Sequence, residues 1–323
     1  MDGLPGDLLP SAIDDVTMRG ATGGQLSLSQ RTLRAAIDCV GVGLHTGRRM
    51  HMTLRPAGVD HGIVFVRTDL PGCPRIPATY DSVSDTRLCT VVCDQERPQA
   101  RVGTIEHVMA ALAGLGITNL VVEVDGPELP ILDGSSQDIV FLLDCAGIAE
   151  QDQPVPVIEV MRPVRVEQGG AFAELRPFAL GFDMALSIDF AAEAIGRQAL
   201  TLRLSESAFR GELADARTFT QRAEVEGLQA MGLARGGSLY NAVVVDGAKV
   251  LNPGGLRRPD EFVRHKLLDA VGDLALAGAA IRGRFIGHCS GHALNNRLLH
   301  ALFADRLAWR TAPIRPSWES LAA

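Results

Sequence analysis

From about residue 30 onward, short runs of apolar positions are separated by Gly, Pro and Asp: "HMTLRP", "GIVFVRT", "RLCTVVC" and "NLVVEV". Runs of this length and alternation predict β-strands. Between them, "TIEHVMAALAGLG" and "SQDIVFLLDCAG" keep the three-to-four-residue spacing of helices with an apolar face. A second strand-rich stretch follows in "RPVRVEQGGAFAELRPF", "FDMALSIDF" and "QALTLRL". Helical segments near 206–214 and 220–231, the strand "NAVVVD" and the helix "EFVRHKLLDAVGDL" complete the pattern. Strands and helices distributed in this way predict an α+β fold.

The proline-spaced "AEQDQPVPVIEV", residues 149–160, interrupts the periodicity and predicts a linker. It divides the chain into a first domain, 29–150, and a second, 155–310. Residues 1–28 are rich in Gly, Ser and Asp without a sustained period and are expected to form a disordered tail, with residues 311–323 a second tail. Two segments echo one another: "EHVMAALAGLGITNLVVEVDG" and "RHKLLDAVGDLALAGAAIRGRFIG" each read as a His-bearing helix, a glycine stop and an apolar strand. Read as two copies of one unit, they set the two His-bearing helices face to face at the junction.

Composition narrows the function. The 323 residues are 46% hydrophobic and 21% charged with a net charge of −7, which argues against a nucleic-acid binder and its concentrated basic face. No apolar run reaches the roughly 18 residues needed to span a bilayer. The N-terminal sequence lacks the basic and apolar segments of a secretory signal, so a cytoplasmic address is expected. The six cysteines are scattered without a CxxC pair, so any metal must rely on histidine and carboxylate.

In "EFVRHKLLDAVGDL", His265, Asp269 and Asp273 are four residues apart and drift by only about 40° per step, so they share one helix face. Val263, Leu267, Val271 and Leu274 fall roughly opposite. Two readings follow. The polar face is either solvated, or it is covered, as Phe262 and Leu276 on the same face suggest, and its carboxylates then need a partner or a metal. Histidine and aspartate one turn apart can chelate a single ion, with a third ligand from elsewhere. "GTIEHVMAAL" puts His107 in the first turn of a helix behind Thr104, the expected N-cap, and next to Glu106. Such a carboxylate could accept a proton from a metal-bound water, or it could simply be an N-terminal acid favoured by the helix dipole.

The remaining histidines divide by setting. His288 and His292 are four apart, but Gly287 and Gly291 flank them, so they are not read as paired ligands; His292 fits a single catalytic imidazole at a helix start. His45 in "GVGLHTG" is the next candidate, with local hydrogen bonding as the alternative. His51, His61 and His300 carry no accompanying signal.

Taken together, "GVGLHTG", "TIEHVMAALAGLGI", "PELPILDGSS", "ARTF", "DEFVRHKLLDAVGDL" and "SGHALNN" resemble, in order and spacing, the UDP-3-O-acyl-N-acetylglucosamine deacetylases, zinc amidases of lipid A synthesis. The resemblance covers residues 30 to about 310. It implies zinc ligation by His107, His265 and Asp269, with iron an alternative set by availability. It further implies Glu106 as general base, His292 as general acid, Asp273 orienting that imidazole, and Thr218 assisting the oxyanion. Lys266 and Phe219 match substrate-contacting residues. The implied fold is two similar α+β domains, each a β-sheet with packed helices and a small insert, with the site at their junction. The insert segment "EVEGLQAMGLARGGSLYNAVVVDG" corresponds to an acyl-chain passage, or else its apolar residues are core. The substrate implied is UDP-3-O-acyl-N-acetylglucosamine. A zinc amidase acting on another N-acylated substrate and a non-catalytic sugar-nucleotide or lipid binder with a structural metal are the rival classes. Neither nucleic acid nor a membrane span is expected, and the sequence is silent on oligomeric partners.

Overall fold

The computed structural model describes residues 29–313. The tail expected over residues 1–28 lies outside the described residues, as do residues 314–323 of the second one. The fold is mixed α and β, as expected. In the first half, five strands form a sheet in the order Ile37–Val42, Arg49–Pro56, Leu120–Val124, Ile63–Arg67, Arg75–Pro77. Leu120, Val122 and Val124 are buried and alternate with half-buried Val121 and Glu123, the period-two pattern of a strand with one face on a core. In the second half, seven strands gather around Ala280–His288. That strand runs parallel to Pro156–Val160 and Phe182–Asp189 and antiparallel to Ala171–Arg176.

The echo between the halves has a structural counterpart. The helix Glu106–Gly114 is followed by Gly116 (φ 68°) and then by Leu120–Val124, the middle strand of its sheet. The helix Glu261–Ala275 is followed by Gly278 (φ 78°) and then by Ala280–His288. Both glycines adopt the left-handed conformation that turns a chain out of a helix without a Cβ penalty. Most buried apolar residues of both halves, from Leu33 to Ala308, make one core that includes Phe65, Leu120, Phe285 and Leu298, with a smaller separate cluster around Ile188, Val243 and Phe262.

The two His-bearing helices cross at Gly272. A Cβ there would lie 2.1 Å from the Glu106 carbonyl oxygen and 3.1 Å from the Ala110 nitrogen, so backbone meets backbone. This contact sets the first turn of the Glu106 helix against the C-terminal part of the Glu261 helix.

Several expectations need correction. The polar face of the Glu261 helix is not solvated: His265, Asp269 and Asp273 are each at most 3% exposed, and Phe262 and Leu276 are buried with them. The expected linker at 149–160 is almost wholly strand. Ile148–Pro154 pairs with Ser29–Leu33, and Pro156–Val160 enters the large sheet. Its prolines sit at strand ends, where a missing N–H disrupts little of the ladder. The fold also continues past residue 310, since Trp309–Pro313 pairs antiparallel with Pro156–Val160. Thr104 is not the N-cap of the Glu106 helix; it has φ 55°, and its hydroxyl donates to the Glu128 carboxylate at 3.1 Å.

Candidate metal centre and active site

His107, from the first helix, meets His265 and Asp269, from the second. One ligand atom from each lies within 4.8 Å of the others, and all three residues are buried. The Asp269 Oδ1 atom is 3.3 Å from His265 Nε2 and 3.6 Å from His107 Nε2, yet has no hydrogen-bond partner. Ion pairs do not account for these distances. Burial, reinforced by His265, holds the His107 pKa down at about 3, and burial likewise lowers that of His265. Neither ring makes a hydrogen bond to that carboxylate oxygen. Asp269 stays ionised: burial opposes its charge, but His265 and Lys266 hold it well below the usual carboxylate range. His265 Nδ1–H donates a hydrogen bond to the Ala216 carbonyl at 3.0 Å, which leaves the Nε2 lone pair toward the carboxylate. Two imidazole nitrogens beside an orphaned carboxylate oxygen form a donor set suited to a divalent transition metal.

A second buried cluster adjoins the first. Glu106 precedes His107, and one of its carboxylate oxygens accepts the Thr90 N–H at 3.0 Å. Burial, opposed by His292 and reinforced by Asp269 and Asp273, raises its pKa to about 7. His292 opens the helix His292–Ala304, and its Nδ1 lies 2.9 Å from Asp273 Oδ2. Burial would discharge this imidazole, but Asp273 outweighs it and raises the pKa to about 9. The site therefore combines a carboxyl group that can accept a proton near neutral pH with an imidazolium that can give one.

The segment carrying Thr218 and Phe219 runs past His265. The Phe219 ring packs on Phe262 with centroids 4.9 Å apart and approaches His265 at 6.2 Å. Lys266 Nζ lies 5.6 Å from the centre of that ring and donates to Asp269 Oδ2 at 3.0 Å. Thr218 is fixed through its backbone, its N–H donating to the Gly134 carbonyl at 2.7 Å and its carbonyl accepting from Val243. Arg217 anchors the segment through its side-chain and backbone bonds to Glu261, whose side chain is 0% exposed. Burial opposes the Glu261 charge, but Arg217 and the Arg257 N–H hold its pKa below the ordinary value. The stabilisation is thus present at neutral pH and lost as pH falls through the lowered pKa. Glu261→Ala is expected to cost about 3–5 kcal/mol by stranding a largely buried guanidinium, read as a lower midpoint of denaturant unfolding. An unchanged midpoint would contradict this anchoring role.

A cleft of about 500 Å³ lined by Thr86, Arg87, Leu88, Lys266 and His292 opens beside the site. A separate, more apolar cavity of about 420 Å³ is lined by Met109, Leu112, Val271 and Leu274, and none of the ionisable site residues borders it. The insert segment is not simply core. Its helix Arg222–Ala230 has no buried residue, and Met231, Leu239 and Tyr240 are exposed, whereas Val243 and Val245 are buried.

The structure brings Glu106, His107, His265, Lys266, Asp269, Asp273 and His292 together, with Phe219 against His265. His45 belongs to a turn held by Glu128, whose carboxylate accepts the His45 and Thr46 N–H groups. His288 ends its strand and contacts Ser187, apart from His292. Two participants were not read from the sequence, Thr90 and Asn295, both bonded to Asp273. Asn295 lies one turn after His292, a detectable if faint signal, whereas Thr90 has no local signal at all.

Comparison with known proteins matches residues 30–304 to the family model for UDP-3-O-acyl N-acetylglycosamine deacetylase. A UDP-3-O-acyl-N-acetylglucosamine deacetylase from Phenylobacterium zucineum is 53% identical over 294 residues, covering 91% of this chain and 98% of the relative. Proteins of the same name from a Shewanella species and from Shewanella baltica are 51% and 50% identical, each covering 87% of this chain and 91% of the relative. With a match across nearly all of its described length and half its residues shared with these relatives, the chain belongs to the UDP-3-O-acyl N-acetylglycosamine deacetylase family.

Proposed function

We propose that the chain hydrolyses the N-acetyl group of UDP-3-O-acyl-N-acetylglucosamine, giving acetate and a free 2-amine, a step of lipid A biosynthesis. Family membership makes it a deacetylase, an amide hydrolase. The observation that best supports amide hydrolysis at this site is a His-His-Asp trio with an orphaned carboxylate oxygen, adjoined by a protonatable carboxyl group and a buried imidazolium, and the substrate follows the names of the relatives.

His107, His265 and Asp269 would hold zinc, or iron where it is more available. The chemistry supplied by such an ion is acidification of a water and polarisation of the amide carbonyl. Glu106 accepts the proton of the attacking water. The Thr218 hydroxyl donates to the carbonyl oxygen as negative charge develops on it. His292 gives its proton to the departing nitrogen, without which the amine would be a poor leaving group. Asp273 holds the imidazole by Nδ1, leaving Nε2 to carry the transferable proton. Lys266 and Phe219 border the reacting centre on the substrate side, and the exposed apolar residues of the insert segment receive the acyl chain.

No helix of the described residues is long and apolar enough to cross a membrane. We assign the activity to the cytoplasm, a reducing compartment in keeping with six free cysteines.

Mass spectrometry of the purified protein incubated with the sugar nucleotide is expected to show loss of one acetyl group and release of acetate. Chelation is expected to abolish turnover, and added Zn²⁺ to restore it. Undiminished turnover in the metal-stripped protein would overturn the metal assignment. Turnover of simple N-acetyl amides but not of this sugar nucleotide would favour an amidase of another specificity.

A further inference from the structure

The hydrogen bonds of Thr90 reach both proton-transfer groups. Its backbone N–H donates to Glu106 Oε2 at 3.0 Å, and its hydroxyl donates to Asp273 Oδ1 at 2.6 Å. Thr90 leads into the strand Val91–Cys93, whereas Asp273 belongs to the Glu261 helix in the other half of the chain. We propose that Thr90 is a positioning residue that fixes the base Glu106 and the carboxylate behind the acid His292 relative to one another. The proposal rests on the deacetylase reading above and extends it to a residue outside the reacting groups.

The bond directions follow from the chemistry of the atoms. An ionised carboxylate can only accept, so the Thr90 hydroxyl proton points at Asp273. A length of 2.6 Å is that of a charge-assisted O–H···O⁻ bond. Asp273 Oδ2 accepts from Asn295 Nδ2 at 2.9 Å and lies 2.9 Å from His292 Nδ1. With Thr90 on one oxygen and Asn295 on the other, the plane of the carboxylate is fixed, and with it the direction of the imidazole. Thr90, Asp273 and Asn295 are each at most 2% exposed, so water cannot readily replace a missing donor. The Thr90 carbonyl also accepts the Ile105 N–H at 3.4 Å, tying this residue to the start of the Glu106 helix.

Substitutions separate the hydroxyl from the backbone contact. Thr90→Val keeps the shape and the N–H but removes the hydroxyl, and Thr90→Ser and Thr90→Ala differ from each other only by that hydroxyl. Turnover number is expected to fall by about 10- to 100-fold in Thr90→Val and Thr90→Ala, the scale of a small misplacement of reacting groups, with KM within about threefold and metal content unchanged. Thr90→Ser is expected to recover most of the rate. In an Asp273→Asn background, Thr90→Val should add little further loss, because its effect passes through that carboxylate. A readout independent of turnover is the proton resonance of His292 Nδ1–H, expected to shift in the Val and Ala variants and to hold its position in Ser. Should Thr90→Val prove too unstable to purify, the Ser and Ala pair carries the test. Equal rates and resonances in Ser and Ala, or a Val variant with wild-type turnover, overturn the proposal. Failure of the wild-type protein to deacetylate the sugar nucleotide would instead remove the deacetylase reading, leaving the resonance comparison to judge the positioning of His292.

Discussion

Glu106→Gln is expected to keep about one divalent ion per chain while its turnover falls by about 10² to 10⁴, the usual worth of a general base. His107→Ala is expected to lose ion and turnover together. The two residues are neighbours in sequence, but their side chains have separate partners. Glu106 accepts from the Thr90 N–H, a bond the glutamine carbonyl can keep, whereas His107 Nε2 lies in the trio 3.6 Å from Asp269 Oδ1. Removing a coordinating atom weakens binding itself. Metal analysis and single-turnover rates on both purified variants provide the measurement. An ion lost from Glu106→Gln and kept by His107→Ala would reverse the assignments of base and ligand.

The second large effect needs only one methyl group. In an exposed helix Gly→Ala stabilises by about 1 kcal/mol, because alanine loses less backbone freedom on folding. At Gly272 the added Cβ would lie 2.1 Å from the Glu106 carbonyl oxygen, and backbone cannot yield as a flexible side chain can. The helices must part, and the overpacking penalty of about 1–3 kcal/mol outweighs the propensity gain. Parting them also moves His107 away from His265 and Asp269, so Gly272→Ala is expected to melt lower and bind its ion more weakly. Gly211, where an added Cβ would meet nothing within 4 Å, is the control, and its alanine variant should melt at or slightly above wild type. Thermal unfolding with and without added Zn²⁺ tests both. A higher melting temperature for Gly272→Ala would refute the close crossing.

How much of this was legible in the sequence differs from residue to residue. The four-residue spacing of His265, Asp269 and Asp273 gave their shared face without any tertiary knowledge, but not whether that face was wet. Burial depends on what covers it, and the Glu106 helix that packs there lies about 150 residues earlier in the chain. Phe262 and Leu276 on the same face were the available clue. The roles of Thr218, Phe219 and Lys266 came from resemblance of whole motifs rather than from any local rule. Thr104 looked like a helix cap because a threonine precedes an acidic first turn, but Glu128, 24 residues on, takes its hydroxyl instead. The prolines of 149–160 look like punctuation in one dimension and are strand ends in three. Thr90 was invisible because its defining contact spans 183 residues.

The strand Trp309–Pro313 begins beyond residue 304, where the family match ends, and it lies along Pro156–Val160. Trimming the chain to the matched residues would spare every group assigned to the chemistry, yet it would bare the backbone N–H and C=O groups of an inner strand. Such an open edge is a template for association between copies. The shortest chain that contains the chemistry is therefore not the shortest that stays well behaved, and an expression boundary is better placed by the outermost strand than by the outermost shared motif.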